Sequence, residues 1–352
     1  MTQQEHPADG EPRPAGPPRT AFVTGATGFL GLNLVGQLSE AGWEVVALHR
    51  PQSDLKYLQR FPVRRAVAAI EDRAALEQAM PAGVDVVFHT AADVSYWSGH
   101  KARQTRTNVD GTRNLVDVAL RRGARKFVHT SSTGIYGLPR QPVDETAPHL
   151  GRGSWFNYQH TKVLAEDAVR DGISRGLDAV FLNPANIVGP YDLHNWSRLI
   201  RLAAEGRLWR VPPGGGSFCH VAEVARAHLA AVSRGRTGEN YILAGADASY
   251  AELVGALAEI MQRPLSTRTV PRRLFKRLGQ IMNLVSRFTG REPFVTPEGA
   301  AYLSANLICR DEKAVSELGY RAVPLRTMLE DCYRWMLAEG LLPAPAATAT
   351  PQ

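Results

Sequence analysis

The segment Thr24-Gly25-Ala26-Thr27-Gly28-Phe29-Leu30-Gly31 constrains this chain more than any other stretch. It follows a short apolar β-type run, Ala21-Phe22-Val23, and opens a helical pattern with Leu30, Leu34, Leu38 and Ala41 on one face. The glycine spacing is GxxGxxG. A tight turn, a close backbone approach to a pyrophosphate, and a helix set close against its strand each exclude a Cβ. Phosphates then sit on free N–H groups at the positive end of the helix. A glycine triplet alone is weak evidence, but this one has the strand–turn–helix context. Gly25, Thr27, Gly28, Phe29, Leu30 and Gly31 are therefore candidate cofactor-binding residues.

The pattern continues. Gly42 ends the first helix, and Trp43 to Leu48 reads as the next strand. Val84 to His89, Lys126 to Thr130 and Ala179 to Leu182 are further strand patterns, with helices over 103–122 and 155–175. Such alternation predicts an α/β fold, a Rossmann-type doubly wound parallel sheet covered on both faces. Beyond about residue 190 the alternation breaks down. Helical patterns at 195–205, 221–233, 250–262 and 271–289 are separated by Pro/Gly loops and short strands such as Asn240 to Leu243. The expected division is a dinucleotide-binding domain over 20–190 and a smaller, mostly helical substrate lobe over 191–342, packed discontinuously on it. Residues 1–19 and 343–352 read as disordered tails. The first tail lacks the apolar core of a signal peptide, and no apolar run is long enough for a transmembrane helix.

With 44% hydrophobic and 21% charged residues in 352, the composition excludes a fibrous or wholly disordered chain. Cys219, Cys309 and Cys332 lie far apart with no CxxC, which argues against a disulfide framework or cysteine zinc cluster and fits a reducing cytoplasm. No metal is expected. Lys plus Arg number 41 against 34 Asp plus Glu, a formal charge of +7. Nucleic acid is not the expected destination for that charge: the sequence has no zinc ligands, RNA-binding aromatics or helix-turn-helix spacing. Much of the excess is local. Over 271–291, Arg272, Arg273, Lys276, Arg277, Arg287 and Arg291 have no acid among them, while Leu274, Phe275, Leu278, Ile281, Met282, Val285 and Phe288 recur at helical spacing. Three readings are open: a lobe helix burying its apolar stripe, a peripheral contact with the inner face of a membrane, and a contact with substrate phosphates.

The second strand ends in His49-Arg50, with Ser53 close behind. An acid there would bind the adenosine ribose and favour NAD; a cation pairs with a 2′-phosphate, so Arg50 favours NADP(H) over NAD(H). Tyr158 and Lys162 stand at i and i+4, one helical turn apart. A nearby ammonium and a positive nicotinamide ring favour the phenolate and lower the phenol's pKa. Upstream, the strand pattern runs into Thr130-Ser131-Ser132-Thr133-Gly134. A hydroxyl at that strand end can donate to a substrate carbonyl. Ser132 is the first choice, ahead of Ser131 and Thr130.

Together these residues resemble the extended short-chain dehydrogenase/reductase superfamily, over roughly 20–340. His89-Thr90-Ala91-Ala92, Asn108 to Asn114, Asn183 to Pro190 and Phe218 to Val221 agree with it. Within it the chain looks most like the dihydroflavonol reductase and 3β-hydroxysteroid dehydrogenase-like branch, through Arg50-Pro51-x-Ser53, Thr289 to Pro293 and Glu317 to Tyr320. The resemblance implies a ketone–alcohol redox reaction on a ring-containing or lipophilic small molecule. It implies Ser132, Tyr158 and Lys162 as the catalytic set, Ala91 at the cofactor and Pro184 against the nicotinamide. The chain departs from the family at two points. An Asp-apolar pair usually ends the third strand, where this chain has Ala69-Ile70, leaving Ile70 as the cofactor contact. The usual Arg before Pro184 is Asn183.

Dehydratases of the superfamily carry an Asp-Glu pair just after the hydroxyl; Thr133-Gly134 offers no carboxylate for that chemistry. A nucleotide-sugar 4-epimerase with bound NAD and a non-catalytic dinucleotide sensor remain alternatives. Ser95, Tyr96, Trp97, Tyr191 and Trp196 are expected to line the substrate site, and a homodimer is open.

Overall fold

A computed structural model describes residues 19–343, so the two expected tails lie outside the described residues except for Arg19 and Pro343. In chain order the first half comprises β1 (Thr20–Thr24), α1 (Phe29–Glu40), β2 (Glu44–His49), β3 (Arg64–Val67), α2 (Arg73–Ala79), β4 (Val86–His89), α3 (Lys101–Thr105), α4 (Gly111–Arg122), β5 (Lys126–Thr130), α5 (Asn157–Ser174) and β6 (Ala179–Pro184). The second half comprises β7 (Asn186–Val188), α6 (Trp196–Ala204), β8 (Gly215–His220), α7 (Val221–Arg234), β9 (Asn240–Leu243), β10 (Ala246–Ser249), α8 (Tyr250–Ile260), α9 (Arg272–Thr289), α10 (Pro297–Tyr302), β11 (Asn306–Leu307) and α11 (Leu325–Ala338).

The main sheet has seven strands in the order β3-β2-β1-β4-β5-β6-β9. Every neighbouring pair in it is parallel. Successive side chains on a strand face opposite ways. On β1, Ala21 and Val23 enter a core shared with Leu34, Leu38, Val224 and Ala225 of α1 and α7. Phe22 enters the opposite core with Leu115, Val116, Phe127 and Phe181. Burial on both faces explains why these strands read as continuous apolar runs rather than alternating ones.

The 191–342 segment is divided between the two lobes. Asn240 to Leu243, read above as a strand of the second lobe, is β9 and pairs with β6 at the edge of the main sheet. α7 likewise packs with α1 against the main sheet, while α6, β8, α8 and α11 build the second lobe around a separate core of Ile200, Phe218, Leu253, Val254, Met328, Leu329 and Met336. That lobe also holds a small sheet the helical patterns did not reveal. Its centre is β8, flanked by β7 and β11 in parallel and by β10 antiparallel. The three cysteines are buried and unpaired.

The predicted helix 103–122 is present within a continuous helical run from Lys101 to Arg122, but its winding changes along the way. Arg106–Asp110 forms a π turn between α3 and α4, and Gly123 closes α4 in the left-handed conformation at φ 68°. A π turn is rare and shifts a side chain's direction within an otherwise continuous helix.

One buried polar node joins three elements of the sheet's far side. Glu166 on α5, 1% exposed, accepts hydrogen bonds at 3.0 Å from Asn183 Nδ2 on β6 and from Asn240 Nδ2 on β9. Asn240 Nδ2 also donates to Asn183 Oδ1 at 2.9 Å. A small residue at 166 would leave those amides buried without their acceptor. Glu166→Ala should therefore cost about 3 kcal/mol of stability, with Glu166→Gln losing much less. Chemical denaturation of the two variants checks this; equal midpoints for wild type and Glu166→Ala contradict it.

Candidate active site

The order of the strands reverses between β1 and β4, and the segments leaving those two strands meet above the sheet. In such folds ligands bind in the crevice at this switch point. Gly25 takes a φ of +68° there, and a Cβ on it would lie 2.8 Å from the Ala91 nitrogen and 2.9 Å from Thr90 Oγ1. Thr90 Oγ1 donates to the Thr24 carbonyl at 2.7 Å, and the Ala91 nitrogen to Thr24 Oγ1 at 3.3 Å. A Cβ on Gly31 would overlap the Gly25 carbonyl oxygen. Gly28 stands at the N-cap of α1, where it provides no side-chain cap, and no acid lies in the first turn. The first-turn N–H groups therefore lack the partner that a Ser or Asp cap would supply. Glycines that admit close approach and an uncapped positive helix end fit the pyrophosphate of a dinucleotide. Leu30 turns its side chain into the core, which leaves its backbone for that role.

Arg50 follows β2 directly and is exposed. No ion pair among the described residues engages it. Its backbone turn is tied by Ser53, whose hydroxyl accepts from the Arg50 nitrogen at 3.2 Å. His49 is 9% exposed, and its Nδ1 lies 3.0 Å from the Arg50 carbonyl, so the ring serves the backbone of the turn. The Ile70 side chain is buried against Gly111 on α4. Only the backbone of Ile70 is left to meet a cofactor. Pro184 is buried at the end of β6, where its carbonyl faces Thr133 Oγ1 at 3.5 Å.

Ser132 and Tyr158 converge above Gly134. A Cβ built on Gly134 would lie 3.2 Å from Ser132 Oγ and 3.4 Å from Tyr158 Cε1. A side chain at 134 would therefore press on both catalytic candidates. Ser132 Oγ accepts from the Gly134 nitrogen at 3.0 Å, which frees its proton for another acceptor. The competing hydroxyls are otherwise placed. Thr130 Oγ1 pairs with His228 Nε2 at 2.8 Å, and Ser131 Oγ is buried without a hydrogen-bond partner. Behind Ser132, Asn183 Nδ2 donates to its carbonyl at 3.4 Å, the role the substituted Asn183 plays in this chain.

The electrostatics differ from the expectation. Burial raises the Tyr158 phenol above its ordinary value, and its hydrogen bond with Ser132 opposes that rise. Lys162 does not offset it. Its Nζ donates to the Thr130 carbonyl at 2.7 Å, and burial lowers its pKa to about 8 despite the opposing pull of Glu166. The Lys162 ammonium thus has a partner at the strand end, and at Tyr158 burial is the larger effect. Around them, burial holds His89 at about 3 and His228 at about 4, both neutral rings in ordinary buffer.

On the substrate side, Tyr96 lies edge-on to Tyr158 with ring centroids 5.7 Å apart. Its other neighbour is Tyr302 of α10, stacked at 5.3 Å. Tyr302 Oη donates to Asn186 Oδ1 at 2.8 Å, which fixes the ring. The sequence reading missed Tyr302, which lies in a six-residue helix without periodicity. Three expected lining residues act elsewhere. Tyr191 packs against Tyr57 and Trp335 at 5.5 and 5.3 Å. Trp196 packs against Phe218 and Tyr250 in the second-lobe core. Ser95 Oγ accepts from the Trp97 nitrogen at 3.1 Å and meets His100 Nδ1 at 3.1 Å, so it shapes the turn that presents Tyr96. Trp97 lies edge-on to His100 at 4.6 Å.

Comparison with known proteins identifies the family. Residues 21–244 match the model of the NAD dependent epimerase/dehydratase family. The chain is 32% identical to sterol demethylase protein B of Methylococcus capsulatus, over 92% of this chain and all of that protein. It is 29% identical to a 3-beta-hydroxysteroid dehydrogenase of Mycolicibacterium neoaurum, over 93% of this chain and 95% of that one. The crystal structure of gox2253 superposes with a TM-score of 0.79 at 31% identity, covering 92% of this chain and 99% of that one. The chain belongs to the NAD dependent epimerase/dehydratase family, among the extended short-chain dehydrogenases/reductases, and is an NAD(P)-dependent enzyme of that type.

Proposed function

We propose that the protein is an NADP(H)-dependent oxidoreductase that interconverts a ketone and a secondary alcohol on a lipophilic or ring-containing molecule. The observation that carries this reading is the convergence of the Ser132 hydroxyl and the Tyr158 phenol beneath an aromatic wall of Tyr96 and Tyr302. Two hydroxyl donors at one point suit one oxygen atom. An aromatic wall suits a flat apolar body better than a sugar ring. The sterol and steroid enzymes among its relatives support the substrate class.

The nicotinamide, when bound, supplies or accepts the hydride. The protein's share is proton handling and orientation. Ser132 Oγ donates a hydrogen bond to the substrate oxygen and holds it beside Tyr158. Tyr158 Oη delivers its proton to that oxygen as negative charge develops there. The buried Lys162 ammonium keeps further protons for ribose hydroxyls while one is held by Thr130. Arg50, free of internal ion pairs, is available to a 2′-phosphate.

Tyr158→Phe should leave NADPH affinity nearly unchanged and lower turnover by roughly two orders of magnitude or more. Fluorescence titration and stopped-flow hydride transfer measure the two separately. Full turnover in the variant would remove this mechanism.

Arg50→Asp should reverse the dinucleotide preference, since attraction is replaced by repulsion. Steady-state kinetics with both cofactors reads the ratio. A wild type that already prefers NAD overturns the NADP assignment and returns weight to the epimerase reading.

The alkaline limb of kcat/KM for reduction should follow Lys162. Its charged form exists below its pKa of about 8 and is lost as pH rises through that value, whereas the phenol keeps its proton throughout. The rate should therefore decline above about pH 8. A profile flat until the range of an ordinary phenol would exclude Lys162 from that role.

A further inference from the structure

α9 does not bury the stripe its sequence seemed to prepare. Phe275, Gly279 and Ser286 face inward and are buried. Leu274, Leu278, Ile281, Val285 and Phe288, at helical spacing along a neighbouring face, are exposed; Phe288 is 85% exposed and Ile281 61%. Leu284 adds a further exposed apolar side chain at 56%. Six large exposed apolar side chains on one helix are unusual for a free surface. At about 100° per residue, Arg273, Lys276, Arg277 and Arg287 fall on the flank of the stripe opposite the buried face. None of these cations, nor Arg272 or Arg291, forms an ion pair among the described residues, and α9 contains no acid.

The position of α9 adds a second observation. A Cβ on Gly279 would lie 2.9 Å from the Thr296 carbonyl oxygen and 3.1 Å from Ala300 Cβ, so α9 sits hard against α10. α10 carries Tyr302, the outer ring of the wall over Tyr158. Beyond the helix, Glu292 lies 3.9 Å from His100 Nδ1, in the turn that presents Tyr96 and Trp97. The buried face of α9 thus packs on the element that carries the wall of the substrate site, while its apolar stripe faces away from that contact.

We propose that α9 is an interfacial helix. It lays its apolar stripe into an anionic lipid bilayer, its cations meet the headgroup phosphates, and the Tyr158 site is held near the membrane that dissolves a lipophilic substrate. The source of the substrate rests on the ketone-reductase reading; the docking does not. No helix among the described residues is long and apolar enough to cross a membrane, so the contact is peripheral. The charge selects the occupant. A second copy docking α9 on α9 about a two-fold axis would set the same cations against each other, whereas anionic headgroups neutralise them.

The test uses the full chain and sedimentation with two vesicle types, phosphatidylcholine alone and phosphatidylcholine with phosphatidylglycerol. The wild type should sediment with the second at low salt and be released as salt rises. Replacing all six cations by Gln, or combining Leu274→Asn, Ile281→Asn and Phe288→Ser, should each weaken partitioning by roughly tenfold or more. Both variants should keep the wild-type melting temperature, NADPH affinity and turnover of a water-soluble ketone without vesicles. A wild type that stays in the supernatant with phosphatidylglycerol vesicles, or a Gln variant that sediments equally, overturns the proposal. So does a wild-type dimer that ignores vesicles and dissociates in the apolar-stripe variant. Vesicle binding without reduction of any ketone would sink the catalytic reading and leave the docking intact.

Discussion

The contact of Gly25 with Ala91 and Thr90 fixes the relation between the two halves of the site. β1 and β4 are neighbours in a parallel sheet, so the chain leaves both at the same edge. Their exits come so close that no side chain fits at 25. Two consequences follow from that approach. The exit of β1 must turn at once into α1, which puts an uncapped helix N-terminus at the crevice. The exit of β4 must run outward over the sheet edge, which carries 92–97 toward α5. One close contact therefore orients both the phosphate end and the substrate end of the crevice.

The second end needs further polar ties, because 92–97 has no regular structure to hold it. Asn108, in the π turn, accepts from the Asp93 nitrogen at 2.7 Å and donates to the Asp93 carbonyl at 3.0 Å. Its amide also reaches Thr161 Oγ1 on α5 at 3.1 Å. Gln104 donates to the carbonyls of Asp93 and Ser95 at 3.0 and 2.7 Å. Both residues are buried, so these bonds form in a medium where an unmade bond is costly. The irregular winding before α4 is what directs Asn108 at the loop. A straight helix through 103–122 would carry the same residue on a different face.

The contrast explains what could be read beforehand. Strand–helix alternation and the glycine loop are local features with a period, and they specified the doubly wound sheet and its ligand-binding edge. Ser132 and Tyr158 could be proposed because their order along the chain matched a known arrangement. Tyr302 carried no such mark; it reaches Tyr96 only because the second lobe folds back over the sheet. β9 misled for the same reason, since nothing within Asn240 to Leu243 says which sheet it joins. The split of the 271–291 stripe into inward Phe275 and outward Ile281 depends on where α10 sits, and hydrophobic periodicity alone cannot report that. Tyr191 and Trp196 were assigned by sequence proximity to the strand end, but large aromatics satisfy themselves by packing, and each found a core instead.

Burial sets the direction in which the catalytic groups are prepared. Desolvation penalises whichever form is charged, so it raises the Tyr158 phenol and lowers the Lys162 ammonium. The neighbouring rings are neutral for the same reason, as His89 and His228 show. A neutral phenol beside the Ser132 hydroxyl is already a proton donor, the state that reduction of a ketone consumes. Oxidation of an alcohol needs the phenolate, and in this dry surround only added positive charge can stabilise it. Lys162 Nζ donates to the Thr130 carbonyl at 2.7 Å, and at Tyr158 burial remains the larger effect. The positive ring of an oxidised nicotinamide is a charge that would stabilise the phenolate. On the proposed ketone-reductase reading, burial alone therefore favours the reductive step, and the oxidative step would draw on the added positive charge of a bound cofactor.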